Sequence, residues 1–201
     1  MEIFLIRHTT PLVAKGICYG QTDLDVTESF SEEASAILTH LPNTIKNVYS
    51  SPLQRCAKLA KRLFPNHGIE WHNDLMELNC GEWEMLEWDE IPKTAIQPWM
   101  DNFVHVQVPG GESYAELHQR VIDRFNIICN IGETAAIIAH GGVLRSILSH
   151  IGSHSLESSF SAFQLHYGAV VKIKRANKTF TYELMHNIEP SNKEQHRPSF
   201  T

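Results

Sequence analysis

Short, continuously apolar runs alternate along the chain with longer stretches of helical spacing. Ile3-Phe4-Leu5-Ile6 begins almost at residue 1. Continuous rather than alternating apolarity predicts a strand covered on both faces. A loop rich in turn residues follows over 9–27, with Pro11, Gly16 and Gly20. Ser29 and Glu32 have capping-box spacing, which predicts a helix through about Leu41. Asn47-Val48-Tyr49-Ser50 reads as a second short strand. Pro52 suits the first turn of a helix, in which Leu53, Ala57, Ala60, Leu63 and Phe64 make one apolar stripe. Ile69-Glu70-Trp71 is a third strand candidate.

The rhythm breaks over about 79–109. This stretch carries Trp83, Trp88 and Trp99, several carboxylates, and Pro92, Pro98 and Pro109. It predicts an irregular, partly helical, lid-like insertion, closed by Pro109-Gly110-Gly111. A long helix follows, with Leu117, Val121, Phe125 and Ile128 at helical spacing. Ala135-Ala136-Ile137-Ile138-Ala139 is another buried strand; it ends at His140-Gly141-Gly142, and 143–151 reads as a helix. Val171 and Ile173 alternate with lysines, and Phe180, Tyr182 and Leu184 with Thr179, Thr181 and Glu183. Both patterns predict strands with a solvated face, as at a sheet edge. The polar residues from Glu189 to 201 predict a mobile tail. Strands alternating with helices predict a three-layer α/β/α sandwich with a mostly parallel central sheet, in a single domain over 1–201, a length that can bury a proper core.

Composition narrows the function classes. The apolar fraction is 42% and the charged fraction 20%, as in soluble globular proteins. The net charge of -6 argues against a nucleic-acid binder, which needs a basic face to displace counterions. It does not exclude an anionic substrate, because a few arginines in one pocket set the local field. No stretch reaches the ~18 apolar residues of a membrane span, and Met1 to Ile6 is too short an apolar run for a secretory leader. Cys18, Cys56, Cys80 and Cys129 form no CxxC pair, so neither a zinc ribbon nor a redox motif is expected. The expectation is a cytoplasmic protein with reduced thiols, acting on a small molecule rather than on nucleic acid or membrane. A homodimer is left open.

In open α/β sheets ligands bind at the carboxyl ends of strands. Three polar sets fall at such ends: Arg7-His8, the segment Ser50 to Arg55, and His140-Gly141-Gly142. Two guanidiniums offer fork-shaped donors that match phosphate oxygens. The cluster holds no carboxylate or thiolate to complete a metal ligand set, so no metal and no cofactor are expected and an oxyanion is the natural ligand. The helix after His140 would add backbone N–H donors, that of Gly141 among them. Positive neighbours disfavour imidazolium, which keeps His8 neutral near pH 7. It can then act as a nucleophile through one ring nitrogen while the other donates to a nearby carbonyl, such as that of Thr9. An isolated Arg-His or His-Gly-Gly is commonly just a polar loop; three together on one sheet carry the argument.

These residues resemble those of the histidine phosphatase superfamily, the phosphoglycerate-mutase-like proteins. Phe4-Leu5-Ile6-Arg7-His8 looks like its Leu-x-Arg-His signature, and Ser50-Ser51-Pro52-Leu53-Gln54-Arg55-Cys56 like its second arginine motif. Leu75 to Glu84 looks like its Glu…Gly-x-Trp-Glu segment, and Val108 to Ser113 and Ala139 to Gly142 complete the order. The resemblance spans about 2–175. It implies that His8 accepts the phosphoryl group and that Arg7, Arg55 and His140 clamp its oxygens. It implies that Glu77 protonates the leaving alkoxide and later helps activate water, with Glu82 as the alternative acid. Two departures stand out: Thr9 replaces the usual Gly, and Ala14 stands where an Asn is common. Loss of that Asn weakens a mutase reading more than a hydrolytic one.

Within the family, Arg7 to Pro11 and Cys18 to Leu24 resemble the alpha-ribazole phosphatase branch, which removes the 5'-phosphate of alpha-ribazole phosphate in assembly of the cobalamin lower ligand. That resemblance points to Gln21, Thr22, Trp83 and Glu84 as substrate contacts. Trp83, Trp88, Trp99 and Phe103 are candidates to stack on a flat base. The alternatives are a broad-specificity phosphatase of small phosphorylated metabolites, a phosphoglycerate mutase, and a phosphate-binding module without turnover.

Overall fold

The opening apolar run forms strand β1 (Glu2–Arg7) inside a six-stranded sheet, in a computed structural model that describes residues 1–177, 179–189, 195, 198 and 199. The other strands are β2 (Asn47–Ser50), β3 (Ile69–Trp71), β4 (Ala135–Ala139), β5 (Val170–Ala176) and β6 (Thr179–His186). Their order is β3-β2-β4-β1-β5-β6. The four strands from β3 to β1 pair in parallel, while β5 and β6 add to the β1 side antiparallel. The alternating pattern of β6 fits that edge, where most of its residues are exposed.

The continuous apolarity of β1 and β4 has a direct cause. Ile3, Leu5, Ile137 and Ala139 face one core, which they share with helices α4 (Tyr114–Ile131) and α5 (Gly141–Gly152). Phe4, Ile6, Ala136 and Ile138 face a second core, shared with α1 (Phe30–Leu38) and α2 (Gln54–Leu63). Helices thus cover both faces of the sheet. Each large side chain buried this way contributes about 1.5–3 kcal/mol, so a one-residue slip of β1 would exchange the contents of both cores.

Helix caps depart from the expectation. Ser29 precedes α1 but makes no side-chain cap bond; its hydroxyl donates to Glu33 Oε1 at 2.6 Å. Glu33 Oε2 instead accepts the Thr10 N–H, tying α1 to the loop after β1, and the helix stops at Leu38 rather than Leu41. A complete capping box occurs at α4, between Ser113 and Glu116. At α2, Asp23 from the distant loop accepts the Gln54 N–H at 2.6 Å.

The segment 79–109 folds into 3-10 turns at Gly81–Trp83 and Trp88–Glu90 and helix α3 (Lys93–Asp101). It has its own apolar cluster, in which Cys18, Trp83, Trp88, Ile91 and Ile96 pack together. Its two ends touch backbone to backbone. A Cβ on Gly81, whose φ is +46°, would lie 2.2 Å from Pro109 O, and one on Gly111 would lie 2.2 Å from Asn79 O. Helix α6 (Ser159–Ala162) completes the chain before β5. The tail expected to be mobile falls outside the described residues except Glu189, Gln195, Pro198 and Ser199. Ser199 is hydrogen-bonded through its N–H and hydroxyl to Asp89. Among the described residues, no helix is long and apolar enough to cross a membrane.

Candidate active site

The parallel register pairs Arg7 with Ala139, so the residues that follow, His8 and His140, emerge side by side. The His8 N–H donates to Ala139 O at 3.0 Å, and the two imidazole centroids are 5.1 Å apart. His8 Nδ1 lies 2.7 Å from Thr9 O. A carbonyl only accepts, so Nδ1 carries the proton and Nε2 keeps its lone pair. The sequence expectation named this carbonyl, and local geometry supplies it because the partner is the next residue.

Arg7 and Arg55 are both buried. Arg7 Nη1 donates to Leu165 O at 2.6 Å, and its guanidinium lies 4.2 Å from the centroid of the Tyr167 ring. Arg55 donates through Nη1 to Thr22 O and through Nη2 to Gly20 O, which fixes the plane of the guanidinium. Its Nε is buried without an acceptor among the described residues. A buried donor left in this way is uncommon and costly, and it suits an anionic oxygen.

His140 is fully buried, with Nε2 2.8 Å from Ser51 Oγ and 3.5 Å from Cys56 Sγ. Burial first, then the charges of Arg55, His8 and Arg7, hold its pKa well below the usual histidine value, so it is neutral at pH 7. The neighbouring Cys56 thiol is pushed up to about 12, mainly by burial, and is therefore a poor nucleophile.

Glu77 lines the same pocket as Arg7 and His8. Its Oε2 accepts the Gly142 N–H and its Oε1 the Leu78 N–H, both at 3.0 Å. A Cβ on Gly142 would sit 2.3 Å from Glu77 Oε1, so glycine is what lets the carboxylate reach the start of α5. Of the backbone donors that open α5, that of Gly142 is thus engaged by Glu77, while the donor anticipated for phosphate was that of Gly141. Gly141 has a related role: a Cβ there would lie 2.9 Å from Arg145 Nη1 and 3.3 Å from Arg7 Nε. Glu82, the alternative acid, is exposed beside Gly110 and does not line the pocket.

The four substrate contacts suggested by resemblance take other places. The Gln21 and Thr22 N–H groups both donate to Glu84, and Gln21 Nε2 donates to Glu77 O at 3.0 Å. Burial opposes ionisation of Glu84, but hydrogen bonds from Thr22, Gln21 and Gly20 outweigh it and lower its pKa. Glu84 is therefore an anionic staple for the loop whose carbonyls hold Arg55. Trp83 is buried in the cluster of the insertion. None of these four lines the pocket, whereas Trp88 and Trp99 do. Phe103 packs among Trp99, Tyr114 and Phe160.

Two pocket features escaped the sequence reading. Arg145 lines the pocket, with Nε on Phe163 O at 3.1 Å and its guanidinium 4.6 Å from the centroid of the Phe160 ring. Its position four residues after Gly141, on one helix face, was the available signal. Tyr167 packs against both Arg7 and His8, and its hydroxyl is 2.5 Å from that of Tyr19; nothing local marks it. No group of three or more potential metal ligands occurs among the described residues.

The family profile described as histidine phosphatase superfamily (branch 1) matches residues 3–188. The chain is 33% identical over 163 residues to a metal-independent phosphoserine phosphatase of Arabidopsis thaliana, covering 75% of this chain and 68% of that one. Among solved structures it superposes on an alpha-ribazole phosphatase from Shigella flexneri with a TM-score of 0.85 at 22% identity, covering 96% and 100% of the two chains. A phosphoserine phosphatase of Entamoeba histolytica superposes with a TM-score of 0.79 at 17% identity, covering 92% and 96%. At these identities the two structural likenesses show the shared fold.

Proposed function

Since the chain belongs to branch 1 of the histidine phosphatase superfamily, we propose that it hydrolyses small phosphate monoesters in two steps through a phosphohistidine on His8. The observation that carries this reading is the Nδ1 contact to Thr9 O, which makes Nε2 the nitrogen that bears the lone pair of the neutral ring, beside a buried arginine cluster. In the first step the Nε2 lone pair attacks phosphorus. The ester oxygen departs with the P–O electron pair and takes a proton from Glu77. In the second step the Glu77 carboxylate takes a proton from water as the water oxygen attacks phosphorus. The N–P bond breaks, inorganic phosphate leaves, and Nε2 recovers its pair. Arg7 and Arg55 stabilise the charge on the phosphoryl oxygens, and neutral His140 serves as a hydrogen-bonding partner rather than a third cation. Splitting one displacement into two and preorganising its charge partners are the sources of rate.

The test is trapping. Enzyme mixed with a phosphorus-32-labelled monoester and quenched in base should carry acid-labile label on His8, and His8→Ala should carry none. Absence of label during turnover would overturn the mechanism, and binding without turnover would make the protein a phosphate-binding module. Dependence on a bisphosphorylated primer would make it a mutase.

For the substrate, the resemblance of 7–11 and 18–24 to the alpha-ribazole phosphatase branch and the Trp88 and Trp99 walls of the pocket support alpha-ribazole 5'-phosphate. A second reading rests on Arg145, whose charge in the pocket suits a substrate with an additional anionic group, such as phosphoserine. A kcat/KM panel separates them. Alpha-ribazole phosphate no better than p-nitrophenyl phosphate removes the first reading. Arg145→Met that leaves phosphoserine and p-nitrophenyl phosphate equally affected removes the second. The four unpaired, buried cysteines support a cytoplasmic location.

A further inference from the structure

Glu77 sits on a stretch of chain with no ladder or helix to hold it: 77–80 lie beyond the 3-10 turn at Asn73–Leu75 and outside every regular element. A carboxyl group that must both give and take a proton needs a fixed position, because a displacement of about 1 Å can cost roughly 10²-fold in rate. The backbone around Glu77 therefore needs partners from elsewhere.

Gln21 Nε2 supplies one, to Glu77 O, and a single arginine supplies three more. Arg120, on the inner side of α4, donates through Nη1 to Asp74 O at 2.9 Å and Met76 O at 2.7 Å. Nη2 donates to Glu77 O at 3.0 Å and to Glu112 Oε1 at 2.5 Å, and Nε donates to Glu112 Oε2 at 3.0 Å. A guanidinium has five N–H donors, and here each meets an acceptor. Three are carbonyls of the segment that carries Glu77. The other two form a fork-to-fork pair with Glu112, and both side chains of that pair are largely buried. Glu112 holds the far side of the segment: its Oε1 accepts the Asn79 N–H at 2.8 Å, and its own N–H donates to Asn79 O at 3.0 Å.

We infer that the Arg120–Glu112 pair is the positioning device of the acid–base group, fixing residues 74–79 so that the Glu77 carboxyl stays beside Gly142, in the pocket it shares with His8. Neither residue lines the pocket, so both act through Glu77. The inference rests on the proposed role of Glu77 and adds the residues that set its placement. Lysine can replace Arg120 only in part, because three donors on one nitrogen cannot span three carbonyls and a carboxylate.

The experiment compares two substrates whose leaving groups differ in their need for a proton. An alkyl phosphate releases an alkoxide that must be protonated; 2,4-dinitrophenyl phosphate releases a stable phenolate. Because kcat/KM reports events up to leaving-group departure, Arg120→Met should lower kcat/KM for the alkyl phosphate by about 10–10²-fold, part of the 10²–10⁴ that general acid catalysis provides. It should change that for the dinitrophenyl ester far less. Arg120→Lys and Glu112→Gln should show the same leaving-group dependence in weaker form, which keeps the test open if Arg120→Met folds poorly. The double variant Arg120→Met with Glu77→Gln should be no slower on the alkyl phosphate than Glu77→Gln alone, since a group acting only through Glu77 has nothing further to lose. Proportional losses on both substrates, or additive losses in the double variant, would overturn the inference and leave the pair a structural one. If Glu77→Gln itself shows no leaving-group dependence, the acid–base reading of Glu77 fails, and the positioning role falls with it.

Discussion

Replacing Gly142 with alanine tests the placement of the acid most directly. The added Cβ would lie 2.3 Å from Glu77 Oε1, whereas ordinary contact begins at 3.4 Å. The carboxylate must therefore retreat by about 1 Å, and it can, because it is the tip of a flexible side chain. The other neighbour, Leu117 Cδ1 at 3.5 Å, is already in ordinary contact and need not move. The fold should barely register the change. Alanine in place of glycine favours the helix by up to about 1 kcal/mol, and loss of the Glu77 hydrogen bond to the Gly142 N–H opposes it by a similar amount. The melting temperature should therefore stay within roughly 4 °C of the parent. Catalysis should respond strongly, because a shift of about 1 Å in a reacting group costs on the order of 10²-fold. Steady-state kcat/KM on an alkyl phosphate, measured beside thermal unfolding by circular dichroism, separates the two effects. A Gly142→Ala enzyme with parental kcat/KM would show that Glu77 does not work from its observed position.

Other outcomes follow from the same geometry. Arg55→Ala should lower kcat by about 10²–10³, as removal of one charge-stabilising donor does, and His8→Ala should abolish turnover in the same assay. His140 should make the fold acid-sensitive. Its folded pKa lies below its unfolded value of 6.5, so the unfolded chain binds the extra proton first. Its stabilising share is then full above pH 6.5 and lost as pH falls below it, with a slope of up to about 1.4 kcal/mol per pH unit; His118 and His186, also held below the usual value by burial, add to it, so urea titrations from pH 7.5 to 5.0 should show a slope that His140→Gln reduces. Gly81→Ala should destabilise by about 1–3 kcal/mol, since it combines a positive φ with a backbone clash. Gly68→Ala, with open space around it, should fall within about 0.5 kcal/mol in the same denaturant assay.

The parts legible in the sequence were those written in local pattern. β1, β2 and β4 could be read because strands covered on both faces are apolar at every position, and the strand ends then located His8, Arg55 and His140. The side-by-side placement of His8 and His140 required the β1–β4 register, which no single segment encodes. Ser29 and Glu32 had capping spacing, but Glu33 took the serine hydroxyl and a distant N–H instead. Gln21, Thr22 and Glu84 were expected as substrate contacts because they lie in stretches that resemble the family and its alpha-ribazole phosphatase branch. Folding turns them on one another, since the loop over 20–22 has backbone donors that only a distant carboxylate satisfies. Arg145 was missed although its spacing to Gly141 was a signal, whereas Tyr167 sits in a connection with no periodicity.

The glycine-lined meeting of residues 79–81 with 109–111 gives the insertion a closed base, like the stem of a hairpin. The chain between can then be lengthened, shortened or exchanged while its two ends stay where they are, and each doubling of a flexible loop costs only about 0.6 kcal/mol in closure entropy. Trp88 and Trp99 ride on that exchangeable part, whereas Arg7, His8, Arg55, Glu77 and His140 all lie outside it. Under the proposed function, the part of the leaving-alcohol contact made by Trp88 and Trp99 rides on a piece of chain separate from the residues assigned to phosphoryl transfer, and that part can be rebuilt without touching them.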